Sequence, residues 1–421
     1  MTPAQPTDGL LARTLREESG LLVARLARQF HDFDLAEEAV QTAVTEALEA
    51  WRRDGPPNNP AAWLQTAARH NALDLVRRRS RQTALAMRLA PAPEPVEATY
   101  HLEGDVPDGH TDDRLALLFA CCHPALAPEA RLALTLRAVV GMTTPQIARA
   151  FLVNERTLAQ RIVRAKRKIV TTGIALSVPA DDVLAERLAD VLAVVALMYN
   201  EGFVSSDGGT QDRDLAGDAV WLAGVVATSL PNEAEAWGLA ALLTFQHARA
   251  TARFSDAGDL VLLPDQDRSR WDHAAIAAGE AMLERAAALH SPGPYQLRAA
   301  IAACHATSPS WAETDWLQIV TLFEVLTRHD PSPVVRLNRA VAMSQIGPQE
   351  VEPSLHAVDE LVDRLDGYHL FHATRAQLLT RLGRDDEAAA ANARALALTT
   401  NEAERRLLAT RLHRHPLTDG S

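Results

Sequence analysis

MTTPQIARAFLVNERTLAQRIVRAKRK, the stretch from Met142 to Lys168, contains two short helical patterns separated by a turn. Thr144 is a favourable N-cap with Pro145 at the first helical position, so we expect the first helix to begin there. Asn154 is the corresponding cap of the second helix. Two capped helices joined in this way predict a helix-turn-helix, which places its second helix in the major groove of DNA.

The second helix of this stretch has two unlike faces. Apolar residues recur at helical spacing and are predicted to be buried: Leu158, Ile162, Ala165 and Ile169. The other face carries Arg156, Gln160, Arg161, Arg164 and Lys168. A basic face is often only solvated, but on a capped helix-turn-helix it favours contact with phosphates and base edges.

Composition limits the function classes. The chain has 421 residues, 47% apolar residues and a net charge of −12, which predicts two or three globular domains and excludes a general nucleic-acid coat. Three cysteines cannot form a disulfide framework, and neither a signal peptide nor a run long enough to span a membrane is evident. These features predict a cytoplasmic protein without a membrane association.

No enzymatic motif is evident. Cys121, Cys122 and His123 are consecutive, and helical neighbours point about 100° apart, so we expect no zinc site there. The HExxH pattern and the GxxxxGK[ST] phosphate loop are both missing. The sequence therefore predicts a protein without metal, cofactor or catalytic residues.

Helical periodicity extends along the whole chain and predicts an all-α fold. The Pro- and acid-rich stretch APAPEPVEATYHLEGDVPDGH, from Ala90 to His110, has the composition of a flexible linker. The predicted organisation is a first helical block at 8–82, a linker at 83–110, a second block at 111–172, a helical extension at 173–330 and helical hairpins at 331–421.

The last segment partly fits a tetratricopeptide repeat. Small and apolar residues occupy the expected repeat positions: Ala376, Leu379, Gly383, Ala388 and Ala395. Asn392 stands where an aromatic residue is usual. One such repeat is predicted, with an ordinary helical bundle as the alternative.

The first block contains an acidic helix and a basic helix. Asp34 and Glu37 have the spacing of a capping box, and an apolar stripe from Ala36 to Trp51 leaves Glu37, Glu38 and Gln41 on the polar side. The next helix, AAWLQTAARHNALDLVRRRSRQ, begins at Asn59 and Pro60. The arginines at its end exceed what capping of a helix C-terminus requires.

In order and spacing, DLAEEAVQ, AAWLQTAARHNALDLVRRR, a linker and LTLRAVVGMTTPQIARAFLVNERTLAQRIVRAKRKI resemble regions 2 and 4 of bacterial extracytoplasmic-function sigma factors, in the sigma-70 family. Further segments resemble a subgroup with a long helical extension that ends in tetratricopeptide-like repeats. These segments are DDRLALLFACCHPALAP, MYNEGF, LLPDQDRSRW, GPYQLRAAIAACHA, TDW and SPVVRLNRAVA. The resemblance covers about residues 10–412.

That resemblance implies core RNA polymerase and promoter DNA as partners. By the family's pattern, the polymerase-binding residues are Asp34, Glu37, Glu38 and Gln41. The residues at the minus-ten element, where unstacked bases are captured, are Trp63, Arg69, Asn71, Asp74, Arg77 and Arg78. The residues at the minus-thirty-five element are Arg156, Thr157, Gln160, Arg161, Arg164 and Lys168.

The extension implies control of activity within the chain. By the same resemblance, small proteins of the DGPF type are candidate partners of its helical surface. The alternative is a stand-alone helix-turn-helix regulator with a helical ligand- or protein-binding domain, which leaves the first block without a role. A helical scaffold with incidental basic helices is a third reading, and it predicts no salt-dependent contact with DNA.

Overall fold

The computed structural model describes residues 6–30, 32–89, 113–151, 153–204, 214–255 and 257–414. Within these ranges the secondary structure is helical, apart from an isolated β-bridge between Phe254 and Leu260. The all-α prediction is confirmed. The chain divides into two compact units, Met1–Leu197 and Met198–Ser421. None of the described helices is long and apolar enough to cross a membrane.

The helices of the first unit are α1 (Pro6–Phe30), α2 (Phe33–Asp54), α3 (Pro60–Leu89), α4 (Asp113–Cys121), α5 (Pro128–Ala138), α6 (Thr144–Ala150), α7 (Glu155–Thr172) and α8 (Asp181–Val204), whose last residues belong to the second unit. The linker predicted from Ala90 to His110 lies outside the described residues. Helix α3 itself continues to Leu89.

Helices α1, α2 and α3 pack together around the apolar stripe of α2. That stripe is rich in alanine, and Ala36, Ala39, Ala43 and Ala47 are fully buried, so neighbouring helices approach closely. Trp51 closes the stripe and is also buried. The predicted apolar face of α2 is thereby confirmed.

The cap of α2 differs from the prediction. The N-cap is Asp32, whose Oδ1 accepts a hydrogen bond from the Leu35 amide at 2.9 Å. Asp34 lies one residue inside the helix, which begins at Phe33, and an N-cap needs the extended backbone that Asp32 has. The capping box predicted from Asp34 to Glu37 is therefore wrong, and both carboxylates are available for other contacts.

Helices α4 to α8 complete the first unit. Arg131 of α5 pairs with Asp190 of α8 at 2.6 Å, and Arg187 of α8 donates to the Phe119 carbonyl of α4 at 2.7 Å. These contacts join the first half of α8 to the helices around residues 113–138. The first compact unit consequently continues past residue 172.

The second unit contains α9 (Leu215–Ser229), α10 (Ala234–His247), α11 (His273–Ala288), α12 (Pro294–Ala306), α13 (Trp316–His329), α14 (Pro333–Ile346), α15 (Val351–Asp359), α16 (Val362–Leu365), α17 (His369–Arg381), α18 (Asp385–Leu398) and α19 (Glu402–Arg414). Helix α10 is buried on nearly every side and contacts α9, α11 and α12. It is the central helix of this part of the unit.

Helices α17 and α18 form the hairpin predicted near the end of the chain. Gly383 joins them with a φ of +71°, a left-handed conformation that favours glycine. Ala376, Leu379, Ala388 and Ala395 are buried where the two helices meet. A helical hairpin of this kind is compatible with a tetratricopeptide repeat, which stays a proposal.

Candidate polymerase and promoter surfaces

The helix-turn-helix consists of α6 and α7. Helix α6 begins with a capping box in which Thr143 Oγ1 accepts from the Gln146 amide and Gln146 Oε1 accepts from the Thr143 amide at 2.8 Å. The cap is therefore Thr143, and the prediction of Thr144 is wrong by one residue, because Thr143 is the residue with extended backbone. Leu152, in the predicted turn, lies outside the described residues.

Helix α7 begins as predicted. Asn154 is its N-cap and accepts a hydrogen bond from the Arg156 amide at 2.9 Å. The four residues of the predicted apolar face are all buried: Leu158, Ile162, Ala165 and Ile169. Gly173 ends the helix with a φ of +67°. The cap and the buried face of the second helix are confirmed.

The predicted minus-thirty-five residues share the opposite side of α7. Those that are exposed are Arg156, Thr157, Gln160, Arg164 and Lys168. Arg161 is half-buried, and Lys168 Nζ donates to the Ala125 carbonyl. This side presents three exposed cations and two neutral hydrogen-bonding groups, which is a suitable chemistry for phosphates and base edges. Its contact with DNA stays a prediction.

Lys166 has a different environment from the rest of α7. Its Nζ lies 2.7 Å from Glu37 Oε2 and 3.0 Å from Asp34 Oδ1, and 5.2 Å from the centre of the Phe33 ring. Arg137 Nε approaches the other Glu37 oxygen at 3.7 Å. We refer to the cluster of Lys166, Asp34, Glu37 and Arg137 as the closed contact.

The centre of the closed contact is largely shielded from solvent. The side chains of Lys166 and Glu37 are 10% and 12% exposed, whereas that of Asp34 is 73% exposed. Sequence reasoning did not assign a role to Lys166. A signal was present, because Lys166 follows Leu158 and Ile162 at intervals of four residues and so lies along the buried face.

Two of the four predicted polymerase-binding residues are therefore occupied by the chain itself. Asp34 and Glu37 contact Lys166, and Glu38 lies 3.4 Å from Arg79 of α3 with most of its side chain exposed. Gln41 is exposed. The four residues share the polar side of α2, as predicted, but the structure covers Glu37 and leaves Glu38 and Gln41 accessible.

Further contacts hold α1 against the helices that follow the linker. Arg25 Nε and Arg28 Nη1 lie 3.0 and 2.7 Å from the carboxylate of Asp113, which is 9% exposed. Gly20 lies against Val139, and a Cβ at position 20 would overlap the Val139 carbonyl oxygen. The first helical block (8–82) and the second (111–172) are thus joined by the closed contact, by the pairing of Arg25 and Arg28 with Asp113, and by one close backbone approach.

The predicted minus-ten residues lie along α3, whose start at Asn59 and Pro60 is as predicted, with Asn59 Oδ1 accepting from the Ala62 amide at 3.1 Å. Arg69 and Arg78 are exposed, and Arg77 pairs with Asp74 at 3.2 Å. An exposed pair of this kind is weak and leaves both groups accessible to a ligand.

Trp63 and Asn71 are more enclosed than the arginines. Trp63 is half-buried, with its ring edge-on to that of buried Trp51 and the centroids 5.7 Å apart. Asn71 Nδ2 donates to Glu46 Oε2 at 3.1 Å. The structure thereby gives Trp63 a packing role in the core and also a partly accessible ring, and its contact with DNA stays a prediction.

Cys121 and Cys122, which follow each other at the end of α4, are buried thiols. Cys121 and Cys122 have no exposed surface, and Cys122 Sγ lies 3.6 Å from Thr135 Oγ1. Burial raises the pKa of Cys122 to about 12 and also raises that of Cys121 well above its usual value. Both side chains are in the neutral thiol form at physiological pH, and nucleophilic chemistry needs the thiolate.

Comparison with known families agrees with this geometry. Residues 15–82 match Sigma-70 region 2, and residues 116–169 match Sigma-70, region 4. Residues 187–287 match a family of unknown function, DUF6596. The chain thus carries both region 2 and region 4 of sigma-70 factors, and this pair of matches supports an RNA polymerase sigma factor.

The relationship also extends over almost the whole chain. The protein belongs to the same family as the uncharacterized protein R00370 of Rhizobium meliloti (strain 1021), to which it is 45% identical over 386 residues, covering 90% of this chain and 89% of the relative. No solved structure matches it. The two sigma-70 matches support core RNA polymerase and promoter DNA as partners.

Proposed function

We propose that this protein is a sigma factor of the extracytoplasmic-function type, which directs polymerase to minus-ten and minus-thirty-five promoter elements. The observation that supports the type is the spacing of the two sigma matches, because only residues 83–115 separate region 2 from region 4. That interval leaves no room for a further folded sigma domain. As a partner of core polymerase, the factor works in the cytoplasm.

In this proposal, the exposed side of α7 reads the minus-thirty-five element. Arg164 and Arg161 bind phosphate or guanine, and Gln160 and Thr157 contribute neutral hydrogen bonds. Exposed Arg69, Arg77 and Arg78 of α3 bind the backbone at the minus-ten element. Trp63, Asn71 and Asp74 contact the unstacked bases there.

Binding to core polymerase uses the polar side of α2. Asp34, Glu37, Glu38 and Gln41 are its contact residues, and two of these four are held by Lys166. A covered carboxylate cannot meet a second protein, so the closed contact has to open before Glu37 binds polymerase. The closed contact is the device that keeps the free factor from binding core prematurely.

The C-terminal extension controls this equilibrium. Most of the extension forms a separate compact unit, and the helical hairpins of that unit offer a regulatory protein a binding surface distinct from the polymerase and promoter surfaces. A small protein of the DGPF type is the proposed regulator, and the hairpin of α17 and α18 is the proposed tetratricopeptide-like element. The stand-alone regulator is the weaker alternative, since it assigns no role to the region 2 match at residues 15–82.

Run-off transcription with purified bacterial core polymerase tests the proposal, on the promoter upstream of the gene cluster that encodes the protein. The full chain is compared with a truncated chain that ends at Val204, which keeps α8 whole and retains its contacts with α4 and α5. Specific transcripts that require the protein support a sigma factor, and a changed yield on truncation supports control by the extension.

A control variant accompanies this experiment. Arg53→Ala removes an exposed arginine that pairs with its neighbour Asp54 at the end of α2 and is not among the proposed contact residues, and we expect it to leave transcription unchanged. Failure of both the full and the truncated chain to bind core, together with tight binding of the full chain to operator DNA alone, overturns the sigma proposal in favour of the stand-alone regulator.

A further inference from the structure

The second compact unit contains a cavity of about 500 Å³. Its walls are formed by α10, α12, α13 and the first turns of α14, with Asn200 of α8, Leu263 and Trp271 completing it. The volume lies within the range of small-molecule sites, about 300 to 1,000 Å³. All of the lining residues lie outside the two sigma-70 matches, so promoter recognition does not account for this cavity.

Sequence segments that the sigma function leaves without a role meet at this cavity. MYNEGF contributes Asn200, and LLPDQDRSRW contributes Trp271. GPYQLRAAIAACHA contributes Arg298 and His305, and SPVVRLNRAVA contributes Asn338. Four segments separated along the chain therefore supply polar and aromatic side chains to one cavity.

The charged residues that line the cavity are all basic. Arg249 and Arg298 line the cavity, and none of the lining residues within the described part of the chain is Asp or Glu. Asp330 bonds Arg298 Nη2 at 2.5 Å, but a guanidinium has five N–H donors and retains others for a ligand. In a chain of net charge −12, such a lining favours a bound anion over a cation.

His305 adds an uncharged hydrogen-bonding group. Burial, followed by the positive charges of Arg249 and Arg268, lowers its pKa to about 4, so the ring is neutral at physiological pH. Its ring stacks on Trp311 with centroids 5.8 Å apart. Its Nδ1 is buried and has no hydrogen-bond partner among the described residues, and an unsatisfied buried polar atom is destabilising unless a ligand or water pairs with it.

The rest of the lining is apolar, with Leu242, Phe245, Phe323 and Leu326 among its residues. An inorganic anion alone would leave this surface in contact with water, and an uncharged apolar molecule would make no use of the N–H donors that Arg298 retains beside its pair with Asp330. We infer that the cavity binds a small organic anion, a carboxylate carried on an apolar body. This ligand site is independent of the proposed sigma function, because it uses neither sigma region.

The test measures binding to the full-length protein with the fluorescent probe 1-anilinonaphthalene-8-sulfonate and its displacement by octanoate. We expect octanoate to displace the dye at least tenfold more effectively than octanol, which has the same apolar body without charge. Inorganic phosphate is expected not to compete. Equal competition by octanol, or displacement by phosphate alone, would overturn the inferred ligand class.

Variants locate the binding in the cavity. Arg298→Gln should weaken octanoate binding about tenfold, the loss expected for one charge-assisted hydrogen bond. Arg336→Gln is the matched control, since Arg336 is exposed on α14 and pairs with Glu360. Ala302→Phe adds volume inside the cavity and should abolish binding of the dye.

A second obstructing variant covers the case in which Ala302→Phe fails to fold. Asn338 lines the cavity and is exposed, so Asn338→Trp blocks the cavity from its rim without a change in the core. Thermal unfolding identifies which variants are folded. Dye binding and octanoate competition that persist unchanged in a folded Asn338→Trp protein would refute the site.

Discussion

Replacing Lys166 with methionine removes the charge at the centre of the closed contact and keeps a similar side-chain volume. Lys166 Nζ lies 2.7 Å from Glu37 Oε2, and both side chains are nearly buried. Asp34 contributes less, because its carboxylate is mostly in solvent and an exposed ion pair is worth little. The effect of the substitution therefore depends chiefly on Glu37.

In the Lys166→Met protein, Glu37 would keep only Arg137, at 3.7 Å from its other oxygen, and that oxygen has no hydrogen bond within the described structure. Loss of the hydrogen-bonded cation from a mostly buried pair costs about 2–3 kcal/mol. Once the contact opens, Glu37 is hydrated and this cost disappears. The closed state is thus disfavoured by a factor of roughly 30 to 150.

We expect the affinity of Lys166→Met for core polymerase, measured by fluorescence anisotropy without DNA, to rise by up to this factor. Lys166→Arg keeps the charge and should change the affinity much less. Lys168→Met is the matched control, because it removes the other lysine of the chain two residues away on an exposed side of α7.

An unchanged core affinity in a folded Lys166→Met protein would refute the reasoning, since it would mean that the closed contact does not compete with polymerase. A lower affinity would refute it too, because Lys166 would then contribute to binding. Circular dichroism and thermal unfolding establish that the variant is folded, and the Lys168→Met result separates the loss of this contact from a general loss of positive charge.

Three further predictions concern the promoter surface, the core and the cysteines. Arg164→Ala should weaken promoter use in run-off transcription by about 1–3 kcal/mol if the side chain is bidentate to guanine, with core affinity unchanged. Gly20→Ala should lower the free energy of unfolding by about 1–3 kcal/mol, because the added Cβ meets the Val139 carbonyl. Gly224→Ala is the control and should stabilise the protein by about 0.5–1 kcal/mol, because the Cβ position at Gly224 is open space. Equal unfolding free energies of the two variants would contradict this prediction. The raised pKa of Cys122 predicts slow alkylation of this thiol by iodoacetamide at pH 8 in the folded protein and fast alkylation in urea, and equal alkylation rates by mass spectrometry would refute this prediction. The same raised pKa predicts that the folded protein loses stability as pH rises from about 9 to about 12, because the thiol ionises at lower pH in the unfolded chain.

Much of the fold follows from local sequence. The apolar spacing of α2 and α7 predicted their buried faces, Asn154 was predicted as the cap of α7, and α3 was predicted to begin at Asn59 and Pro60. Two predicted caps were wrong: the structure has Thr143 in place of Thr144 and Asp32 in place of Asp34. Neighbouring residues with similar side chains compete for the cap, and only the backbone conformation decides between them.

The sequence by itself determined the all-α class, the helix-turn-helix and the exposed basic side of α7, because helical periodicity and capping depend on residues a few positions apart. Only the tertiary structure decided that Lys166 meets Glu37, 129 residues earlier, and that Asn200, Trp271, His305 and Asn338 line one cavity. Such meetings depend on how helices pack over long chain separations. A spacing rule within one helix contains no information about its distant partners.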